Sequence, residues 1–292
     1  MYTQLIANGM IAGSLWALLG VSFGVVLRAT GFFDFSYGLA VAVGAYVTFA
    51  LSEYGRLPMG VAMLIALLAA GATGVAVHGG VFGMVKRQTR SALGLLLASV
   101  GVYVIGQNVL SLTFGDSSHS IRGHAVSPGF VVLGARITTN QLVIIGTSLG
   151  TILVLGLVAS QSRIGRQVRA MANNRFLAEV VGIPVRKATY CAVFVGFLVG
   201  GLAGILLCLD GDMVPTMGMK ALLVAVVAAI VGGERTVSGV CLGGFAIGIL
   251  QNLAIVVVPA AWEDAIAFLV LLLFLALSPR ARQIRGASEG VG

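Results

Sequence analysis

The feature that most constrains this chain is the recurrence, from one end to the other, of apolar runs of about 20 residues, the length a helix needs to cross the hydrocarbon core of a bilayer. Such runs occupy 5–27, 33–52, 58–82, 91–113, 140–160, 188–209, 219–233, 239–258 and 262–278. They lack the two-residue alternation of barrel strands, and inside lipid only helices and closed barrels satisfy the backbone. With 58% hydrophobic and only 10% charged residues, a soluble globule is excluded, since such proteins carry roughly 25% charge. The chain reads as an all-α integral membrane protein: one domain over 1–292, a polytopic bundle of about 8–10 transmembrane helices. Its 41 glycines suit that architecture, because small residues let helices approach closely in lipid. The first run lacks a basic leader and is too long for a signal peptide, so it reads as a retained span.

Direction follows from the basic residues. When the spans alternate, all 18 Lys and Arg except Arg56, Arg122, Arg136 and Lys220 fall on one side. Glu53, Asp116, Asp210, Asp212, Glu263 and Asp264 fall on the other. The positive side is cytoplasmic, which predicts an external N-terminus, an internal C-terminal "RARQIR" and residence in a bacterial inner membrane. The net charge of +8 then reflects topology and attraction to anionic membrane lipid. No basic face interleaved with aromatics points to nucleic acid.

Two places interrupt the spans. Residues 219–233 are short for a crossing and end in "GGERTVSG", and "ATGFFDFSYG" at 29–38 breaks the boundary of the first two spans. Both fit discontinuous helices lining a pathway, and both fit ordinary turns. Asp34 sharpens the question, because a lone carboxylate at depth costs roughly 2.5–3.5 kcal/mol. Either it caps the second span through the backbone amides of Ser36 and Tyr37, with Arg28 as a surface partner, or Asp34 and Tyr37 line a route narrowed by Phe32 or Phe33.

Two further spots place amides in lipid: Gln107 and Asn108 in "IGQNVL", and Gln251 and Asn252 in "ILQNLA". These side chains are expected to face the bundle interior as part of a substrate pathway. The echo between the two stretches fits either an internal duplication or chance. Cys191, Cys208 and Cys241 lie in apolar segments without metal or redox spacing, and His119 and His124 share a polar loop lacking further ligands, so no metal site is expected.

The one long cytoplasmic segment, "SQSRIGRQVRAMANNRFLAEVVGIPVRKATY" at 160–190, is too polar to span. A helix is predicted from about Gly165 to Val181, ended by Gly182 and Pro184, with Val168, Met171, Leu177 and Val181 on one face. On composition alone it fits a basic interfacial anchor. It also resembles the coupling loop of permeases in ABC importers, in particular the branched-chain amino acid permease family, with Gly165, Arg169, Ala170, Ala178, Gly182 and Ile183 at matching places. The resemblance extends along the chain: Phe35 and Gly38, then Gly44, Ala45 and Tyr46, fit the family's opening signature. "LASVGVYVIGQNVLSLTFG" and "GGERTVSGVCLGGFAIGILQN" are similar to two of its Gly-rich segments. Departures fall at Asp34, Ser36 and Tyr37 and at Glu234, Arg235 and Thr236, which bear on substrate.

The resemblance implies an ATPase-coupling segment within 161–187 carried by Gly165, Arg169, Ala170, Ala178, Glu179 and Gly182. It implies a second permease subunit, homologous but not identical, two ATP-binding subunits and a periplasmic substrate-binding protein. The cargo it implies is a branched-chain or related small amino acid, with urea, short amides or small organic acids as the alternative. No G-x-x-x-x-G-K-[ST] occurs, so ATP and its Mg are expected on the partner ATPase subunits. An autonomous channel or secondary transporter is the alternative of a different class; it would need no coupling segment.

Overall fold

The computed structural model describes residues 2–88, 91–120, 129–132, 135–233, 236–256, 259 and 262–277. His124, Glu234, Arg235 and the C-terminal "RARQIR", all weighed above, lie outside the described residues. The described chain is helical apart from a small antiparallel hairpin, β1 (Phe130–Val132) and β2 (Ala135–Ile137). Among the described residues, six helices are long and apolar enough to cross a membrane. Five of them are α1 (Tyr2–Thr30), α5 (Ala92–Phe114), α6 (Thr139–Gln161), α9 (Val185–Asp210) and α11 (Val237–Ala254). The sixth is α3 (Met59–Gly79), which continues after a break at Gly80 as the short α4 (Val81–Gln88). Three apolar helices are shorter: α2 (Tyr37–Phe49), extended by a π-helical turn at Ala50–Tyr54, α10 (Met217–Gly232) and α12 (Glu263–Leu277). Two small polar helices, α7 (Arg163–Asn173) and α8 (Arg175–Val180), stand between α6 and α9.

The bundle has a clear centre. Helix α2 is buried along most of its length, packed by α9, α3 and α10, and α1 lies against α11, α9 and α10. In α5 and α6 few residues are buried, as expected of lipid-contacting helices. Glycine sets the closest approaches. A Cβ on Gly9 would stand 2.9 Å from Ile249 Cα, and one on Gly44 would meet the backbone of Gly201. In lipid such backbone proximity supplies the packing that water would otherwise enforce.

The two ends of the bundle are internally consistent. At one end Gln4 exchanges hydrogen bonds with Arg136 (3.0 and 2.8 Å), and His119 bridges to Met213. At the other, the Ala29 carbonyl accepts from Arg175 (3.4 Å) and Thr189 (3.3 Å). The residues that alternation of the spans assigns to one side are therefore together in space.

Candidate transport site and coupling segment

The break in "ATGFFDFSYG" is real and polar at its centre. Helix α1 ends as Gly31 adopts a left-handed φ of +77°, and α2 starts only at Tyr37. Between them Asp34, with no exposed surface, folds back on its own backbone: Oδ1 accepts from the Ser36 amide (2.9 Å) and hydroxyl (2.5 Å). The Tyr37 amide turns instead to the Asp34 backbone carbonyl (3.3 Å), and the Phe35 amide donates to Ser99 Oγ (3.0 Å), tying the break to α5. Asp34 thus caps the turn at Ser36 that precedes α2, while the expected bond from its side chain to the Tyr37 amide does not form.

The second oxygen of Asp34 does not meet Arg28. It lies 3.4 Å from Nε2 of His78, near the end of α3. His78 Nδ1 contacts the Gly74 carbonyl at 3.1 Å. A carbonyl only accepts, so Nδ1 carries a proton, and Nε2 either donates to a carboxylate or accepts from a carboxylic acid. At 3.4 Å the two groups are in close polar contact, and neither Oδ2 nor Nε2 has another hydrogen-bond partner among the described residues. Phe32, Phe82 and Phe197 enclose the imidazole, with ring centroids 6.3, 4.7 and 6.0 Å away. Sequence reasoning noted His78 only as a histidine inside an apolar span. An ionisable side chain at such a position generally has a named partner, and that was the available signal.

Just beyond the cap, Gly38 of α2 and Gly218 of α10 meet. A Cβ on Gly38 would lie 2.8 Å from the Gly218 carbonyl oxygen, and the Tyr103 ring closes over both. Tyr103 is the middle residue of α5, about 16 Å from either end of that helix at 1.5 Å per residue. Two helices therefore begin within the membrane, first turn against first turn. From this point α2 runs toward Phe49, whose ring lies 5.1 Å from His119. Tyr37 is wholly buried, its hydroxyl 2.6 Å from Ser22 Oγ on α1.

Next to the start of α10 opens a vestibule of about 510 Å³. Asp210, Asp212 and Lys220 bring both signs of charge to its rim, Asn8, Gln141 and Asn252 add amides, and Leu15 and Met217 give apolar wall. Of the four amides expected to face inward, Asn252 lines this space and Gln251 is buried, whereas Gln107 is half-buried and Asn108 is exposed. The two asparagines share one local solution: each donates to the carbonyl four residues back, Asn108 to Val104 (2.7 Å) and Asn252 to Gly248 (3.0 Å). The structure does not gather the four amides into one cluster. Nor does it bring Asp34 and Tyr37 to the vestibule wall.

The polar segment after α6 forms two helices rather than the single predicted one. Asn174 is extended (φ −155°) and its side chain accepts from the Leu177 amide, capping α8, so the run is cut where two asparagines follow each other. Gly182, at φ +87°, ends the segment. Gly165 is buried where a side chain would meet the carbonyls of Val158 and Ala159, Arg169 donates to the Ser160 carbonyl (3.0 Å), and Ala170 is half-buried on α7. Ala178 packs with Met171, Val185 and Ala188. These residues hold α7 and α8 onto α6 and α9. What α8 presents outward is different: Phe176 (73% exposed), Leu177, Val180 and Val181 (80% exposed), with Glu179 on the same short helix. The sequence reading missed this apolar face because it assigned Leu177 and Val181 to the membrane side of one longer helix.

A central half-length helix, polar breaks inside an apolar bundle and a protruding apolar turn beyond it define a membrane transport subunit. The chain belongs to the family described as branched-chain amino acid transport system permease component, whose model matches residues 5–275. It is 29% identical over 292 residues to the high-affinity branched-chain amino acid transport system permease protein LivH of Escherichia coli K12, covering 95% of this chain and 94% of the relative. Similarity to the permease protein BraD of Pseudomonas aeruginosa is 26% over the same shares. A fructose import permease protein of Bifidobacterium longum, FruG, is 26% identical over 88% of this chain and 77% of its own length. The chain is a membrane-spanning permease subunit of an ABC import system.

Proposed function

We propose that this permease imports branched-chain or related small amino acids, driven by ATP hydrolysed on separate subunits. The observation that carries the substrate class is the vestibule beside α10. An α-amino acid presents an ammonium, a carboxylate and an aliphatic side chain, and the space offers Asp210 and Asp212, Lys220, and the wall of Leu15 and Met217. A sugar or an uncharged amide can hydrogen-bond to such groups, but only a zwitterion neutralises both signs of charge at once. Cells lacking their own branched-chain uptake, supplied with this permease and its cognate partners, should take up leucine, isoleucine or valine. Excess urea, acetamide or fructose should leave that uptake unchanged, and inhibition by one of these in place of an amino acid would overturn the assignment.

The second part of the proposal concerns coupling. The exposed Phe176, Leu177, Val180 and Val181 form an apolar patch on a short helix held rigidly from behind by Ala178, the arrangement of an anchor waiting for a groove. An ATP-binding subunit occupies that role, and ATP and Mg belong to it. Gly165, Arg169, Ala170 and Ala178 position the patch, while Glu179 and Gly182 border it. A second, homologous permease and a periplasmic binding protein complete the importer. The N-terminus lies outside and the α7–α8 face lies in the cytoplasm, an orientation supported by Lys86, Arg87, Arg163, Arg166, Arg169, Arg175, Arg186 and Lys187 on one side.

A further inference from the structure

Where α3, α4, α8 and α9 leave the bundle on the side of the coupling segment, they enclose a cleft of about 460 Å³. Among the described residues, four Lys or Arg side chains line it, Lys86, Arg87, Arg175 and Arg186, together with His78 and one acid, Glu179. We propose that this cleft binds a phosphate-bearing anion, supplied as the headgroup of an anionic phospholipid from the adjoining leaflet.

The charges are arranged as a receptor rather than as a salt-bridge network. Lys86 Nζ sits 5.9 Å over the Phe32 ring and Arg186 Cζ sits 5.6 Å over the Tyr190 ring, so aromatic faces orient both cations. Arg175 is anchored by its bond to the Ala29 carbonyl, and Lys86 lies within electrostatic reach of it. Two like charges held across one opening favour an anion between them. Guanidinium groups match phosphate oxygens by their forked geometry, and lysine adds a point charge.

The neighbouring surface selects the lipid form of that anion. Helix α4 buries Phe82 but exposes Met84 (66%) and Val81 on the same short helix as Lys86 and Arg87. A headgroup with its acyl chains satisfies the bases and these apolar side chains together, whereas free phosphate satisfies only the bases. Basic clefts between helices at the cytoplasmic face are suited to such headgroups. A lipid seated there touches α4, α8 and α9 at once and so braces the coupling helix against the membrane helices.

The test uses the assembled transporter, delipidated in detergent, and native mass spectrometry to count retained lipid. Phosphatidylglycerol should be retained in preference to phosphatidylcholine. The Lys86→Gln, Arg175→Gln double variant should lose retention by roughly thirtyfold, given about one surface-charge contribution for each of the two bases. The control pair Arg163→Gln, Arg166→Gln, on α7, should retain it, and millimolar inorganic phosphate should not displace it. Should the double variant not assemble, Arg87→Gln and Arg186→Gln, both exposed side chains, serve for the same comparison. Equal retention by cleft and control variants, equal retention of the two lipids, or displacement by inorganic phosphate would each overturn the proposal. Loss of the ATP-binding subunits without loss of lipid would overturn it too, marking the cleft as a protein contact.

Discussion

Asp34 and His78, forty-four positions apart in the chain, meet at 3.4 Å in the interior and tie the break before α2 to the end of α3. The pairing explains how a carboxylate is tolerated there, and it dictates which substitutions will be. In Asp34→Asn the amide oxygen still accepts from Ser36, and the amide nitrogen donates to Nε2 of a His78 whose other nitrogen already donates to Gly74. The cost should stay below about 1 kcal/mol. Asp34→Ala removes both interactions and strands His78 among three phenyl rings, at about 3 kcal/mol. Thermal denaturation of the purified protein distinguishes them: a near-native midpoint for Asn and a clearly lowered one for Ala. Equal losses would mean that the pairing is not what holds the break.

The junction of α2 and α10 should be intolerant of a single methyl. Gly218→Ala places a Cβ against the Gly38 backbone, which must shift and drag two helices with it, at about 1–3 kcal/mol. Gly101→Ala, two residues before the Tyr103 that covers the junction, meets nothing within 4 Å. It should be neutral or slightly stabilising, as helix propensity alone would have it. The yield of monodisperse protein in detergent measures both.

Two residues of α8 two positions apart should behave in opposite ways. Val180→Asp alters an exposed side chain, so the permease should fold normally yet fail to retain its ATP-binding subunits on co-purification. Ala178→Asp buries a charge in the cluster with Met171, Val185 and Ala188 and should reduce the amount of folded permease itself. Co-purification of Val180→Asp at wild-type stoichiometry would remove α8 from the docking account.

Orientation can be read directly. In a background without Cys191, Cys208 and Cys241, cysteines introduced at Ser118, exposed after α5, and at Ala172, exposed on α7, should react with an impermeant thiol reagent from opposite sides of the membrane. Only the Ser118 position should label in intact cells. Labelling of both from outside would contradict the topology.

The periodicity of hydropathy made the spans legible: each of the nine apolar runs corresponds to a helix, and the interruption at 29–38 is a true break. That information is local, because a span must solve its own solvation in lipid. The bond of Asp34 to Ser36 was legible for the same reason, since the partner is two residues away, whereas the expected bond to the Tyr37 amide is absent. The His78 partner was not, because nothing local links the end of α3 to the end of α1. The cut at Asn174 was hidden because Asn173 and Asn174 weaken a helix without forbidding it; only the cap to Leu177 decides the matter. In the polar segment between α6 and α9, the residues that fit the family pattern turned out to be those that fasten α7 and α8, such as Gly165 and Ala178. The exposed patch of Phe176, Val180 and Val181 became visible only once the backs of the helices were known.

The account as a whole stands on ATP-driven import through partner subunits, and vesicle uptake tests it most directly. Proteoliposomes carrying the permease, its second permease and the ATP-binding subunits are loaded with ATP and given the binding protein with radiolabelled leucine outside. Accumulation above the external concentration is predicted, abolished when ATP or the ATP-binding subunits are omitted and when Val180→Asp is introduced. Leucine flux of the same size through the permease alone, without ATP, would contradict the account and make the chain an autonomous channel or carrier.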